Sequence, residues 1–334
     1  MTISRKLYEN CVLCPKKCRV NRLEGKTGFC GSASDAILSC SLLHRGEEPP
    51  VTGDGGSGTI FFSGCTLRCG FCQNHQISRG ILGRIIDEEV LSDIMISLQK
   101  EGAENINLVT ATHFIPSVFG AAEKAKKKGL SIPLLWNTSG YETEEAVEML
   151  LEFIDVFLPD LKTLDPALSA RLFKAQDYPC YASKAVLKMA DGRKTEPALI
   201  EKEGVIKKGV IVRHLVLPGE LTSTDQFLKW FSENLQGRAI LSLMFQYEPD
   251  AVSGEIDLPA RRVSGKEADE VYGMLDRYDI DEGFIQEMEG EASWVPDFNR
   301  SNPFPGSGKP GCSETGTGCG KNLIWHWKEG FNLS

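Results

Sequence analysis

Three cysteines carry the first chemical signal. In the stretch GCTLRCGFCQN (64–74), Cys65, Cys69 and Cys72 form a C-x3-C-x2-C pattern with no fourth cysteine nearby. Thiolates are soft ligands that suit zinc and iron–sulfur clusters. A zinc ion takes four protein ligands, or three and a water, and His75 is close enough in sequence to be the fourth. A [4Fe-4S] cluster takes one thiolate per iron, so three thiolates leave one iron with an open coordination position. Packing of all three as plain hydrophobes is a further option, and the polar, glycine-bounded loop argues against it.

A second set reads C-x2-C-P-x2-C-x11-C, with Cys11, Cys14, Cys18 and Cys30. Four thiolates suit either a closed structural zinc site or a complete second [4Fe-4S] cluster. The segment has little apolar content of its own, and metal binding would supply folding free energy. Cys312 and Cys319, in GCSETGTGCG, lie in a glycine-rich tail and are open to a metal or redox role, with a plain flexible tail as the simpler expectation. Cys40, in ILSCSLL, is expected on a buried strand, and Cys180 likewise.

The whole chain sets the context. Its 334 residues are enough for one large α/β domain with appendages, and a core of that size needs no disulfide staples. The net charge of −9 argues against a nucleic-acid partner, which would need a basic surface. No apolar run reaches the roughly 18–20 residues of a membrane helix, and the start, MTISRKLYENC, lacks an apolar signal-peptide core. A cytoplasmic protein without a membrane partner is expected, in which eleven cysteines serve as ligands or redox thiols rather than disulfides. The lysines Lys124, Lys126, Lys127 and Lys128 are expected on the solvated face of a helix.

The elements that must position these groups follow a regular order. Strands are predicted at 58–64, 105–111, 132–140, 155–162, 209–219 and 239–247, and helices at 84–101, 115–129, 143–153, 166–176, 223–236 and 265–278. Thr143 is a candidate N-cap, and the lysines closing 115–129 suit the negative end of the helix dipole. Six βα units predict a parallel sheet curled into a partial (βα)6 TIM-type barrel, with functional groups at the C-terminal strand ends. Residues 1–48 form a Cys-rich cap, 49–290 the barrel and 291–334 a Pro/Gly-rich, irregular tail, in which WVPDF (294–298) and NPFP (302–305) are a lid over the mouth or packing on its outside.

The cysteine loop after a first strand, followed by these units, resembles the radical S-adenosylmethionine (SAM) superfamily. The segments GEEPPVTGDGGSGTIFFSGCTLRCGFCQNHQIS, INLVTATHFIPSV, WNTSGYE, DVFLPDLK, VIVRHLVLPG and FQYEP resemble its pyruvate formate-lyase activating enzyme-like subgroup. The resemblance covers about residues 40–290. It implies a [4Fe-4S] cluster on Cys65, Cys69 and Cys72, SAM chelated at the open iron, and reductive cleavage to a 5′-deoxyadenosyl radical that abstracts hydrogen. It also implies a low-potential electron donor such as flavodoxin or ferredoxin. Matched position by position, Phe71 lies beside the adenine, Asn137 and Thr138 end the third strand, Asp160 and Lys162 meet the methionine end of SAM, and Arg213 meets its carboxylate, a group that a guanidinium fork suits.

One position departs from the pattern. Activating enzymes carry a GGE run at the end of the second strand, and this chain has TATHF, where Thr110, Thr112 and His113 offer hydroxyls and an imidazole but no carboxylate. Activation of a glycyl-radical partner is the leading expectation despite this departure. A radical enzyme for another peptide or small molecule stands beside it, as does a non-catalytic iron–sulfur electron carrier, which would gain nothing from an open iron.

Overall fold

The computed structural model describes residues 3–193, 198–200, 204–251, 256–286, 295–300, 302–304 and 323–331. Cys312 and Cys319 lie outside the described residues. The strands in chain order are β1 (Ala36–His44), β2 (Ser57–Phe62), β3 (Arg84–Ile86), β4 (Ile106–Val109), β5 (Leu134–Thr138), β6 (Val156–Pro159), β7 (Ala198–Ile200), β8 (Ile206–Leu215), β9 (Ile240–Met244), β10 (Gly283–Ile285), β11 (Leu323–His326) and β12 (Gly330–Phe331). The helices are α1 (Pro49–Thr52), α2 (His75–Ser78), α3 (Glu88–Lys100), α4 (Ile115–Lys127), α5 (Glu144–Leu150), α6 (Pro166–Phe173), α7 (Tyr178–Gly192), α8 (Leu221–Asn234) and α9 (Gly265–Arg277).

Strands β2, β4, β5, β6, β8 and β9 run parallel in that order, as six βα units require, and β10 adds a short parallel strand beyond β9. The other flank is antiparallel: β1 pairs with β2, β11 with β1, and β12 with β11. The fold is a partial α/β barrel with a Cys-rich N-terminus. Strand alternation divides each strand between two layers. On β5, Leu134 and Trp136 join the large core shared with the helices, while Leu135 joins Val51, Val156, Leu158, Ile206 and Ile211 inside the barrel. The loop after β1 supplies Val51, so the barrel floor is plugged by chain from outside the βα repeat.

Four features correct the sequence expectations. The segment 84–101 is not one helix. Asp87 caps α3 by accepting from Val90 N at 2.8 Å, and Arg84–Ile86 before it pair with the start of β1. Helix α7 was not anticipated, although Tyr178, Ala182, Ala185, Val186 and Met189 form a buried stripe at helical spacing. Cys180 sits on the exposed side of that helix rather than on a strand, whereas Cys40 lies buried on β1 as expected. The tail is not wholly irregular, because β11 and β12 complete the sheet, and β1 takes residues 36–44 out of the N-terminal cap into that same sheet.

Candidate active site

The loop after β2 carries the three cysteines to the C-terminal end of the strands. Cys65 accepts from the backbone N–H groups of Leu67 and Arg68, both at 3.3 Å, and Ser78 Oγ donates to Cys72 Sγ at 3.4 Å. The three thiols border a cavity of about 250 Å³. Its other walls are strand ends: Val109 on β4 and Thr110 after it, Asn137 on β5, Asp160 and Lys162 after β6, Leu215 on β8 and Met244 on β9. Phe71 enters the same wall and packs against Phe173, with ring centroids 5.9 Å apart.

Asp160 and Lys162 form an ion pair at 2.7 Å inside this cavity. Burial opposes the lysine charge, but the Asp160 carboxylate and then the Cys69 thiol hold its pKa above the usual lysine value. The Tyr178 hydroxyl accepts from Lys162 N at 3.0 Å and donates toward the carbonyls of Ser139 and Asp160, which locks the loop that presents the pair.

Arg213 has partners that the sequence did not reveal. Its Nε donates to Glu48 Oε1 at 2.8 Å, a second nitrogen bonds Glu48 Oε2, and Glu47 Oε2 lies 2.5 Å away. Burial opposes the guanidinium charge, but Glu48 and then Glu47 keep its pKa above the usual value. Glu47 also accepts from Asn107 at 2.8 Å. Glu47 and Arg213 form the cavity floor and, with Met244 and Gln246, also line a second, adjoining lobe of about 180 Å³ between β9 and β10. Gln246 and Gln286 line that lobe, joined by an amide hydrogen bond of 3.0 Å.

Of the TATHF group, only Thr110 lines the cavity. Thr112 and Thr138 instead donate to Glu142 Oε1, at 2.9 and 2.7 Å, and Trp136 Nε1 donates to the same atom at 2.8 Å. The carboxylate missing from the end of β4 thus comes from WNTSGYE, but it is buried behind the wall among the outer-layer side chains. His113 is buried beside Gly64, with Nε2 2.9 Å from the Ser63 carbonyl, and burial first and Arg22 second lower its pKa to about 3. These groups shape the wall from outside; Thr138 reaches the cavity edge as well.

The tail covers part of the mouth. Pro296 and Phe304 line the cavity, and Phe298 and Phe304 pack on Phe61 at 5.5 and 5.3 Å. Gln76, four residues past Cys72, clamps this segment: its Nε2 donates to Asp297 at 3.1 Å and its Oε1 accepts from Phe298 N at 2.7 Å.

Among the described residues, no group of three or more His, Cys, Asp or Glu side chains is already drawn together as for a bound metal ion. Residues 59–230 match the family model of the Radical SAM superfamily. The chain belongs to the Radical SAM superfamily. Membership implies an enzyme that uses a [4Fe-4S] cluster and SAM, and the donor set around Cys65 fits such a cluster.

An uncharacterised protein of Methanocaldococcus jannaschii is 29% identical over 286 residues, spanning 84% of this chain and 78% of that one. Among solved structures, Streptococcus suis SuiB bound to its precursor peptide SuiA is 14% identical over 67% of this chain, with a TM-score of 0.47. The match covers 46% of SuiB, so this radical SAM chain spans less than half of that protein's length. A radical SAM methyltransferase from Sphaerobacter thermophilus is 13% identical over 74% of this chain and 69% of its own, also at 0.47. A domain of a pyruvate-formate lyase-activating enzyme from Bacteroides vulgatus is 12% identical over 50% of this chain and 87% of its own, at 0.34. No described helix is long and apolar enough to cross a membrane.

Proposed function

We propose that Cys65, Cys69 and Cys72 hold three irons of a [4Fe-4S] cluster and that SAM fills the adjoining cavity. The observation that carries this is that the three thiols and the Asp160–Lys162 pair open onto the same space. When bound, the cluster and SAM supply a 5′-deoxyadenosyl radical. The chain's own residues bind and shield it. Lys162 offers its ammonium to the SAM carboxylate, and Asp160 offers a carboxylate to the SAM amino group. Phe71 gives the adenine an aromatic wall, and Asn137 and Thr110 offer polar contacts nearby. Arg213 acts at one remove: its fork is filled by Glu47 and Glu48, so it positions the floor rather than meeting SAM. Phe61, Phe304 and Met244 exclude water from the cavity.

The substrate enters through the lobe at Gln246 and Gln286, and we infer that it is a glycine on a partner protein. Side-chain amides suit a peptide backbone, and a 180 Å³ lobe suits a residue without a side chain. The departure at TATHF favours a second reading, another peptide or small molecule. A low-potential carrier such as flavodoxin or ferredoxin supplies the electron, in a reducing, cytoplasmic setting.

The test is electron paramagnetic resonance of anaerobically reconstituted, reduced protein, with and without SAM, together with an assay for 5′-deoxyadenosine. A cluster signal that shifts with SAM and disappears in the Cys65→Ala/Cys69→Ala/Cys72→Ala variant supports the reading. The absence of any cluster signal that responds to SAM sinks it. A stable radical on a co-incubated partner supports the glycine substrate, and 5′-deoxyadenosine without any partner radical favours the second reading.

A further inference from the structure

We propose that Cys11, Cys14, Cys18 and Cys30 hold a second [4Fe-4S] cluster that relays the electron to the SAM-binding one; the relay half rests on the function proposed above. The four thiols form a built site. Cys11 N donates to Val20 O at 3.2 Å and Arg19 N to Cys11 O at 2.9 Å, closing a small loop around the turn in which Lys17 N meets Cys14 O at 3.0 Å. Lys17 and Arg19 take left-handed backbone angles, φ 41° and 55°, to make that turn. Phe29 N donates to Cys18 Sγ at 3.2 Å, and Arg22 reaches Cys11 Sγ at 3.7 Å. Gly28 keeps space for the sulfur, because a Cβ there would lie 2.9 Å from Cys18 Sγ. The four thiols lie within one another's electrostatic reach.

This site abuts the first one by two routes. Cys30 touches Gly64, the residue before Cys65, so closely that a Cβ on Gly64 would sit 2.6 Å from the Cys30 carbonyl oxygen. The Phe29 ring lies between Lys16 Nζ at 4.5 Å and the Arg68 guanidinium at 5.1 Å. Lys16 stands between Cys14 and Cys18, and Arg68 between Cys65 and Cys69. Among the described residues neither cation has a hydrogen-bond or ion-pair partner, and Arg68 Nε is fully buried without one. The buried, unpartnered Arg68 Nε in the loop between Cys65 and Cys69 calls for an anion, which a thiolate-ligated cluster provides. The second route is aromatic: Lys16 lies 5.4 Å from the Tyr141 ring, Tyr141 is 5.9 Å from Tyr178, Tyr178 is 5.1 Å from Phe173, and Phe173 is 5.9 Å from Phe71 beside Cys72.

A redox-inert ion such as zinc would make no use of either route. In the relay, a low-potential one-electron carrier protein is oxidised as the N-terminal cluster is reduced. That cluster then returns to its oxidised state as the SAM-binding cluster takes the electron, and no atom or proton is transferred.

The experiment uses the whole chain. The Cys65→Ala/Cys69→Ala/Cys72→Ala variant, reconstituted anaerobically with iron, sulfide and zinc present, is expected to retain about four irons per chain and a reduced-cluster resonance indifferent to SAM. Zinc without iron overturns the assignment, and because this readout needs no SAM chemistry it stands apart from the function proposed above. In the unsubstituted protein, rapid-freeze resonance after mixing with reduced flavodoxin is expected to show the SAM-indifferent signal before the SAM-responsive one. The reverse order overturns the relay.

Discussion

Arg213 on β8 and Glu48 on the loop after β1 form a two-point ion pair in the barrel interior, with Nε to Oε1 at 2.8 Å. They are 165 positions apart in sequence. Glu47 shares the guanidinium, so the site's floor is a three-residue charged layer. Arg213→Met leaves two carboxylates buried without a cation and is expected to cost about 3–5 kcal/mol of stability. Adding Glu47→Gln and Glu48→Gln to it is expected to restore part of that loss. Denaturant unfolding of the single and triple variants measures both.

Lys162 carries the charge proposed to meet SAM. Lys162→Met is expected to weaken SAM binding by about 10- to 100-fold, the worth of a charge-assisted hydrogen bond. Calorimetric titration of the cluster-loaded protein reads the change. Unaltered affinity would remove Lys162 from the SAM site.

Glu142 is a fully buried carboxylate whose pKa is raised by burial, against the pull of three donors on Oε1. Glu142→Gln keeps an acceptor for those donors and is expected to cost under about 1.5 kcal/mol. Glu142→Ala strands Thr112, Thr138 and Trp136 and is expected to cost about 3 kcal/mol or more. Equal effects from the two substitutions would contradict the hydrogen-bond account.

His214 is held neutral. Its Nδ1 donates to Leu161 O at 2.8 Å, Nε2 accepts from Thr224 at 3.1 Å, and the ring stacks on Phe227 at 4.2 Å. Burial lowers its pKa to about 4. The unfolded chain therefore binds one more proton at this residue between the ordinary histidine value and pH 4. Its contribution is complete above the ordinary value and is lost as pH falls toward 4, by about 1.4 kcal/mol per pH unit. His214→Gln is expected to flatten the pH profile of stability over that window; an unchanged slope would show that His214 does not titrate there.

Gly64 has φ 85° and the tight approach to Cys30. Gly64→Ala is expected to cost at least about 1 kcal/mol for its backbone angle. The forced separation from Cys30 should also lower cluster content at the N-terminal set, which an iron assay reads. Stability lost with the iron content unchanged would confine the residue to a backbone role.

The barrel was legible because strand and helix periods alternate along the chain, and the thiols at 65–72 because their spacing is local. Thr143 could be read as a cap, and accepts from Ala146 N at 3.2 Å. What escaped depends on contacts distant in sequence. GEEPP precedes a Pro/Gly linker, and nothing nearby shows that its glutamates enter the barrel to meet Arg213. TATHF could not be resolved into one cavity residue and two wall residues, because the turn at Thr110, with φ 59°, breaks the strand alternation. The lobe at Gln246 and Gln286 had no signal, since isolated amides carry no pattern. Helix α7 did carry one, a stripe of small and apolar residues, and went unread.

The late arrival of β11 has a consequence for synthesis. β1 is an apolar strand, AILSCSLLH, and its outer neighbour is β11, at the far end of the sequence. On the ribosome the whole βα repeat emerges before β11 does. During that interval β1 presents unsatisfied backbone groups along much of one side, the kind of edge that recruits other chains. Yield of this protein should therefore depend on how quickly β11 follows the βα repeat out of the ribosome, and chaperone demand should peak in the interval before it does.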